Sequence, residues 1–247
     1  MRKFRLSLVV IAILFLAGVL FFGFKNKIKP TPLPPAKTYQ TTADLGSQNS
    51  AAVASDSALA SEINLNIPFT SQAPNQNWSL PYQQFCEEAS TLMTASYIKG
   101  QPITGPSDAD AKLLAIKDFE MQKFGFYEDT NADETATILR EYFGLTKVDV
   151  VSNPTIDNIK SALSAGQAVI VPLAGRQLGN PYYQQPGPLY HMLVIKGYTK
   201  NGDLITNDPG TRRGADYIYK ANTIMNAIHD WNGGNVDAGR KVMIVVG

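Results

Sequence analysis

Residues 191–210 read HMLVIKGYTKNGDLITNDPG and decide the fold. Two apolar, β-rich runs flank Asn201-Gly202, a dipeptide that favours the tight turn of a β-hairpin. Runs of the same kind predict three further strands at residues 168–173, 217–219 and 242–246. Upstream, apolar residues recur at helical spacing in four segments, at residues 86–99, 108–123, 133–143 and 156–163. Helices come first and a mostly antiparallel sheet follows, so the sequence predicts an α+β fold.

The hairpin carries polar residues at the start of one strand and at the end of the other. His191 opens the first strand, immediately after the irregular segment 187–190. At the start of a strand, the sheet fixes the position of an imidazole that still reaches a cleft. Asn207 and Asp208 end the second strand. With a two-residue turn, Asp208 lies on the same face of the sheet as Ile195 and His191. With a three-residue loop, Asn207 lies on that face instead. In either register the polar residue pairs nearer Ile195 than His191.

Cys86 is the only cysteine in the chain of 247 residues, so no intramolecular disulfide forms. A lone thiol is either buried and inert or used as a nucleophile. The position of Cys86 at the start of a predicted helix favours use, because unpaired backbone N–H groups and the helix dipole stabilise a thiolate there. Glu87 and Glu88 add negative charge, but at about 100° per residue they are expected to project away from the sulfur.

A nucleophilic cysteine needs a base, and the chain has two histidines, His191 and His229. His229 follows the apolar stripe of a late helix, where a solvated cation complements the helix dipole. His191 is therefore the better candidate, and Asp208 or Asn207 would orient its ring by accepting a hydrogen bond from Nδ1. Asp208 has a simpler role open to it, as a turn cap before Pro209. The histidines lack partners at ligand spacing, so the sequence indicates no metal site and no cofactor.

The N-terminal region is typical of a membrane segment followed by a stalk. Leu6–Phe24 is a run of 19 residues of which all but three are strongly apolar, and about 20 such residues span a bilayer. No Ala-x-Ala cleavage pattern follows, so residues 1–29 are expected to be an uncleaved signal-anchor. Residues 30–62, rich in Pro, Ala, Ser and Thr, are expected to link it to one folded domain at residues 63–247. That domain is expected outside the cytoplasm, at the cell membrane.

The charges of the chain are unevenly distributed. Residues 1–29 carry six basic side chains and no acid, which leaves 16 basic and 21 acidic side chains for residues 30–247. Binding to nucleic acid needs a basic surface, so this balance argues against a nucleic-acid partner. Hydrophobic residues make up 44 % of the chain, which is enough to bury a core.

Several segments in a fixed order resemble the papain-like cysteine peptidases of the bacteriocin-processing (double-glycine leader) group and, more closely, their stand-alone peptidase-like relatives. They are Pro68-Phe69-Thr70-Ser71-Gln72, Cys86-Glu87-Glu88-Ala89-Ser90, residues 166–171, residues 191–198 and Asn207-Asp208-Pro209-Gly210. The resemblance spans residues 66–220 and implies N-terminal helices packed on an antiparallel sheet, with a Cys86–His191–Asp208 triad. It also implies that Gln72 helps to bind the oxyanion, for which Gln83 and Gln84 are nearer alternatives.

The same resemblance implies hydrolysis of peptide bonds, or of a related amide, through an acyl-enzyme, with a peptide or protein as substrate. Cys86 would attack the carbonyl, His191 would transfer the proton and Asp208 would hold the imidazole. Four aromatic residues are candidates for the wall of the cleft, with packing in the core or at its rim as the alternative: Trp78, Tyr82, Tyr182 and Tyr183. The alternative is a catalytically inactive domain of the same shape that binds peptide or cell-wall ligands at the surface, and the reactivity of the thiol separates the two.

Overall fold

The computed structural model of the chain describes residues 31–39 and 59–247. The membrane segment predicted at Leu6–Phe24 and most of the predicted linker lie outside these residues. Within the described ranges, no helix combines the length and the apolar character needed to cross a membrane. The chain divides into two compact units, Met1–Pro32 and Leu33–Gly247, and the fold described below is that of the second. The domain limits expected at residues 29 and 62 stay predictions.

The second unit is built on a seven-stranded sheet in which every described pairing is antiparallel. Its strands are β1 (Ile63–Asn64), β2 (Val148–Ser152), β3 (Ala168–Ala174), β4 (Tyr190–Tyr198), β5 (Leu204–Asn207), β6 (Tyr217–Tyr219) and β7 (Val242–Val246). The strand order is β2-β7-β3-β4-β5-β6, and β1 pairs with β4. Because β3 and β4 are buried along their whole length, the centre of the sheet forms the core. The predicted antiparallel sheet is confirmed.

Five α-helices surround the sheet in the described part of the chain. They are α1 (Cys86–Ile98), α2 (Pro106–Lys123), α3 (Ala132–Thr137), α4 (Ile156–Ser164) and α5 (Ala221–Ala227). The four helices predicted from apolar spacing are confirmed, although α3 continues as a π-helical segment over Ile138–Tyr142. Every residue of α1 except Ile98 is buried, because the helix packs against both β4 and α2. Its first residue is therefore held firmly at the edge of the core.

The loop of the β4–β5 hairpin is longer than a two-residue turn. Thr199 N donates to Asp203 O at 2.9 Å, so residues 200–202 form a three-residue loop. On its own, this loop would place Asn207 on the face of the sheet that carries His191.

A β-bulge at Lys196 reverses that outcome. The pairing of β4 with β5 slips by one residue there, so that Asn207 lies opposite Val194. Asp208, one residue further along, returns to the face of His191. The slip also moves Asp208 nearer to His191 than either simple register allows.

The spacing of apolar residues does not predict β2. Its sequence, Val148-Asp149-Val150-Val151-Ser152, is short. Only its first residue is buried, and the other four are partly buried or exposed without a clear period. The strand forms because β7 pairs with all five of its residues. Its existence depends on a long-range partner, which local periodicity does not report.

Candidate active site

A cleft of about 500 Å³ opens between the start of α1 and the start of β4. Cys86, the first residue of α1, and His191, the second residue of β4, both line it. Gln72 lines it from the segment that precedes α1. Asp208 lies behind His191, at the end of β5. The fold thus brings the four residues predicted from the sequence to one place.

The imidazole of His191 is held in one orientation. Its Nε2 forms a hydrogen bond of 2.8 Å with Asp208 Oδ1, and both side chains are buried. Two glycines let the backbone close around the ring: a Cβ at Gly175 would lie 3.0 Å from His191 Cβ, and one at Gly210 would lie 2.9 Å from Cε1. The expectation that the carboxylate binds Nδ1 is wrong, because the ring turns Nε2 towards Asp208. Nδ1 is left as the nitrogen that faces proton transfer.

Asp208 accepts five hydrogen bonds, two at Oδ1 and three at Oδ2. Besides His191, the donors are Gly210 N at 3.0 Å, Asn180 Nδ2 at 3.1 Å, and the hydroxyls of Tyr183 and Tyr219 at 2.6 Å each. Burial raises the pKa of Asp208, but the charge of His191 and these hydrogen bonds outweigh burial and lower the pKa below its ordinary value. The carboxylate is therefore ionised and able to stabilise an imidazolium.

Three of these donors were not identified from the sequence as partners of Asp208. Asn180 and Tyr183 come from the connection between β3 and β4, and Tyr219 comes from β6. Their contacts are long-range, so no spacing rule links them. The one available signal is the pair of tyrosines in β6, since a buried tyrosine hydroxyl needs a hydrogen-bond partner.

Asn207, the alternative orienting residue, and His229, the alternative base, contact other parts of the fold. Asn207 Nδ2 donates to Ile67 O at 3.0 Å and to Pro68 O at 3.1 Å, which ties the end of β5 to the segment before α1. His229 lies two residues beyond α5, and its backbone N–H donates to Pro172 O at 3.1 Å. Neither side chain lines the catalytic cleft.

The thiol of Cys86 is buried and donates a hydrogen bond to Glu87 Oε2 at 3.1 Å. Burial, the charge of Glu87 and this hydrogen bond raise the pKa of the thiol well above its ordinary value. The expectation that Glu87 projects away from the sulfur is wrong, because its long side chain turns back across the roughly 100° between adjacent helical positions. The sequence favours a thiolate at this position, whereas burial and the contact with Glu87 favour the protonated thiol.

Glu87 belongs to a group of three buried carboxyls, with Glu88 on α1 and Glu120 on α2. Each is at most 1 % exposed. Burial raises the pKa of each of them, that of Glu120 to about 8. Glu120 lies on the same face of α2 as the buried residues Leu113 and Ile116, at helical spacing. This spacing is the feature of the sequence that indicates its burial. In the part of the chain that the structure describes, no group of His, Cys, Asp or Glu is suited to a metal ion.

Gln72 lies next to the turn that carries Asp208. Its backbone N–H donates to Pro209 O at 3.0 Å, and its Nε2 donates to Tyr82 O at 3.0 Å. An amide nitrogen has two hydrogens, so one remains for a ligand in the cleft. Gln83 and Gln84 line the same cleft, so the geometry leaves all three amides as candidates for the oxyanion.

Two of the four aromatic residues expected along the cleft do line it, namely Trp78 and Tyr183. Tyr182 lines a second pocket that adjoins the cleft. Tyr82 is not among the residues of the cleft wall and instead packs edge-on against Phe85, with ring centroids 5.4 Å apart.

Comparison with known proteins places the chain in a family. A Bacillus anthracis protein described as a C39-like peptidase is 15 % identical, with a TM-score of 0.49 over 76 % of this chain and 96 % of that one. A fragment of prointerpain A from Prevotella intermedia is 16 % identical, with a TM-score of 0.49 over 76 % of this chain and 72 % of that one. No match was found among curated proteins. The sequence model of the Peptidase_C39 like family matches residues 64–234, well over half of the chain. The resemblance drawn from the sequence is confirmed, and the chain belongs to the Peptidase_C39 like family.

Proposed function

We propose that this chain is a cysteine peptidase that hydrolyses peptide bonds through an acyl-enzyme. The observation that carries the proposal is the hydrogen bond of 2.8 Å between His191 and buried Asp208, in a cleft also lined by the only cysteine of the chain. A thiol, an imidazole and a carboxylate that orients the imidazole are the groups that acyl transfer needs. Membership of a peptidase family supports the same activity.

In the proposed reaction, Cys86 Sγ attacks the carbonyl carbon of the substrate and its proton passes to His191 Nδ1. The negative oxygen of the tetrahedral intermediate accepts hydrogen bonds from Cys86 N–H and from Gln72 Nε2. The C–N bond then breaks, His191 returns the proton to the leaving amine, and Cys86 keeps the acyl group. Water, deprotonated by His191, hydrolyses the thioester and restores the thiol.

The contact between Cys86 and Glu87 defines a resting state in this scheme. The thiol donates to Glu87 at 3.1 Å, so it must exchange this acceptor for His191 before it attacks. The movement proposed for this exchange is a rotation of the Cys86 side chain about its Cα–Cβ bond. The raised pKa of the thiol means that the ion pair with His191 forms during the reaction rather than before it.

We also propose that Leu6–Phe24 anchors the protein in the cell membrane with residues 30–247 outside the cytoplasm. The length and apolar character of this segment support the anchor. The substrate would then be an extracytoplasmic peptide or protein.

The proposed activity is tested by turnover of a quenched fluorogenic peptide library by the full-length chain and its variants. Cys86→Ala is expected to lower turnover by about 10³-fold or more, because the nucleophile is lost. Asp208→Ala is expected to lower turnover per folded molecule far more than Asn207→Ala, which is its matched control. Both residues are buried neighbours, but only Asp208 contacts His191. Asp208→Asn is expected to keep part of the rate, since its amide oxygen still accepts from Nε2.

Thermal unfolding of each variant separates loss of folding from loss of chemistry. A larger loss with Asn207→Ala than with Asp208→Ala would show that the wrong residue is assigned to orient the imidazole. If the wild-type chain cleaves no peptide and its thiol resists iodoacetamide until denatured, the binding-domain alternative replaces the peptidase.

A further inference from the structure

A second pocket adjoins the catalytic cleft, and its charged residues are basic. It has a volume of about 420 Å³ and is lined by Trp78, Tyr182, Gln184, Thr211, Arg212 and Arg213. Trp78 and Gln184 also line the catalytic cleft, so the two cavities adjoin across these side chains. We call this second cavity the arginine pocket.

Both arginines are positioned without being neutralised. The guanidinium of Arg213 lies over the ring of Tyr182, 4.8 Å from its centroid, and Arg212 Nη1 donates to Gln76 Oε1 at 2.6 Å. Both side chains are exposed, and no carboxylate of the described residues forms an ion pair with either. Each guanidinium has five N–H donors in a planar fork that matches a carboxylate. An arginine that is already held in place also loses little side-chain entropy when a ligand binds.

The catalytic cleft differs from the arginine pocket in its charged residues. Among the described residues, the wall of the cleft contains no Lys or Arg and one carboxyl, that of Asp129, which does not line the arginine pocket. A substrate carboxylate is therefore disfavoured beside Asp129 and favoured in the arginine pocket. Because the arginines lie on only one side of the cleft, an acidic side chain of a bound peptide is favoured at that side.

The arginine pocket is close enough to contact residues next to the cleaved bond. Gly210 lies against the imidazole of His191, and Arg213 follows it by three residues. Consecutive Cα atoms are about 3.8 Å apart, so the Cα atoms of these two residues lie within about 11 Å of each other. An extended peptide covers that distance in about three residues.

We propose that the arginine pocket is a subsite for an acidic side chain of the substrate, two to four residues from the cleaved bond. The catalytic domain would accordingly prefer peptide segments that carry Asp or Glu at one fixed distance from that bond. The position relative to the cleaved bond rests on the proposed peptidase activity. The binding of the acidic side chain does not require turnover.

Binding is measured first, with the full-length chain carrying Cys86→Ser so that no peptide is consumed. The probes are N-acetylated, C-amidated octapeptides of uncharged residues in which one position at a time is Glu or Gln. We expect one or two positions at which Glu binds about tenfold more tightly than Gln. The double variant Arg212→Gln/Arg213→Gln is expected to remove this preference and to leave the binding of the Gln peptides within about twofold.

The matched control is Lys147→Gln/Lys200→Gln, which removes the same charge from exposed positions outside the cleft and the arginine pocket. It is expected to keep the preference for Glu. Equal binding of Glu and Gln peptides at every position, or a preference that survives loss of both arginines, would overturn the subsite. Cleavage sites of the same peptides are then mapped with the unmutated chain. A preference for Glu without any cleavage would support the subsite and reject the peptidase activity, whereas cleavage without the preference would do the reverse.

Discussion

Glu87 determines the state of the Cys86 thiol before a substrate arrives. A cysteine at the first position of a helix would ordinarily ionise more easily, because the helix dipole favours negative charge there. Burial and the adjacent carboxyl outweigh this effect and raise the pKa of the thiol. A glycine at this position would have no side chain to accept the S–H hydrogen bond, so this contact of the thiol depends on Glu87.

We expect Glu87→Gln to lower the pKa of the Cys86 thiol. A carboxyl loses its proton before a thiol in the same surroundings, so Glu87 is charged when Cys86 ionises, and its removal takes away a repulsion. A lower pKa raises the fraction of thiolate, so iodoacetamide alkylation is expected to be about tenfold faster at pH values below the midpoint. The measurement is the alkylation rate of full-length protein between pH 6 and 10, followed by mass spectrometry. Glu62→Gln, a carboxyl paired with Lys200 rather than the thiol, is the control. An unchanged dependence of the alkylation rate on pH would show that Glu87 does not raise the pKa of the Cys86 thiol.

At the scale of elements, α1 and α2 meet through carboxyls as well as through apolar side chains. Glu88 and Glu120 are fully buried. Among the described residues, no hydrogen-bond donor of any other residue lies within reach of the carboxyl oxygens of these two side chains. Two charges in this position would be costly, so the packing favours the protonated forms. The contact between the two helices therefore depends on pH.

We expect the free energy of unfolding to fall as the pH rises from 5 to 8. The pKa of Glu120 is raised from 4.5 to about 8 in the folded chain, so the folded state binds a proton that the unfolded state releases in this range. One such proton lowers the free energy of unfolding by about 1.4 kcal/mol per pH unit while it is fully linked. Glu120→Gln should reduce this pH dependence, whereas Glu128→Gln, at an exposed carboxyl, should not. Chemical denaturation at pH 5, 6, 7 and 8 measures the effect, and equal slopes for wild type and Glu120→Gln would contradict it.

Elements with strong local patterns were predictable from the sequence, and their relative placement was not. The helices α1 to α4 and the strands β3 to β7 follow apolar spacing, turn residues and β-branched runs. The hairpin shows the limit, because a three-residue loop alone predicts Asn207 beside His191. The bulge at Lys196 changes that outcome, and it accompanies the close approach of β1 to β4 at Gly197, where a Cβ would overlap the carbonyl oxygen of Ile63. Apolar spacing and turn residues do not report a bulge of this kind.

At the scale of the whole molecule, the candidate site is assembled from separate parts of the sequence around one rigid strand. β4 is paired by β3, β5 and β1 and is buried throughout, so the position of His191 is fixed by the core. Cys86, the proposed nucleophile, comes from α1, which packs on the same strand, and Asp208, the carboxylate that contacts His191, directly follows β5. The types of these residues were predictable from their positions at a helix start and at strand ends. The ligands of Asp208 were not, because they arrive from loops and from β6 by tertiary contacts alone.

The full-length protein is expected to stay in the membrane with residues 30–247 outside the cytoplasm. Leu6–Phe24 is long enough to span a bilayer, and no small-residue cleavage site follows it. Three basic side chains flank each end of this segment, so charge alone does not set its orientation, and the export of residues 30–247 is part of the proposal that the test below examines. N-terminal sequencing of protein extracted from membranes should begin at or next to Met1. Protease added to intact expressing cells should digest the catalytic domain, and the same protein lacking residues 6–24 should remain inside and protected. A mature form that starts between residues 24 and 45 would replace the anchor with a cleaved signal, and full protection of the intact chain would place the domain on the cytoplasmic side.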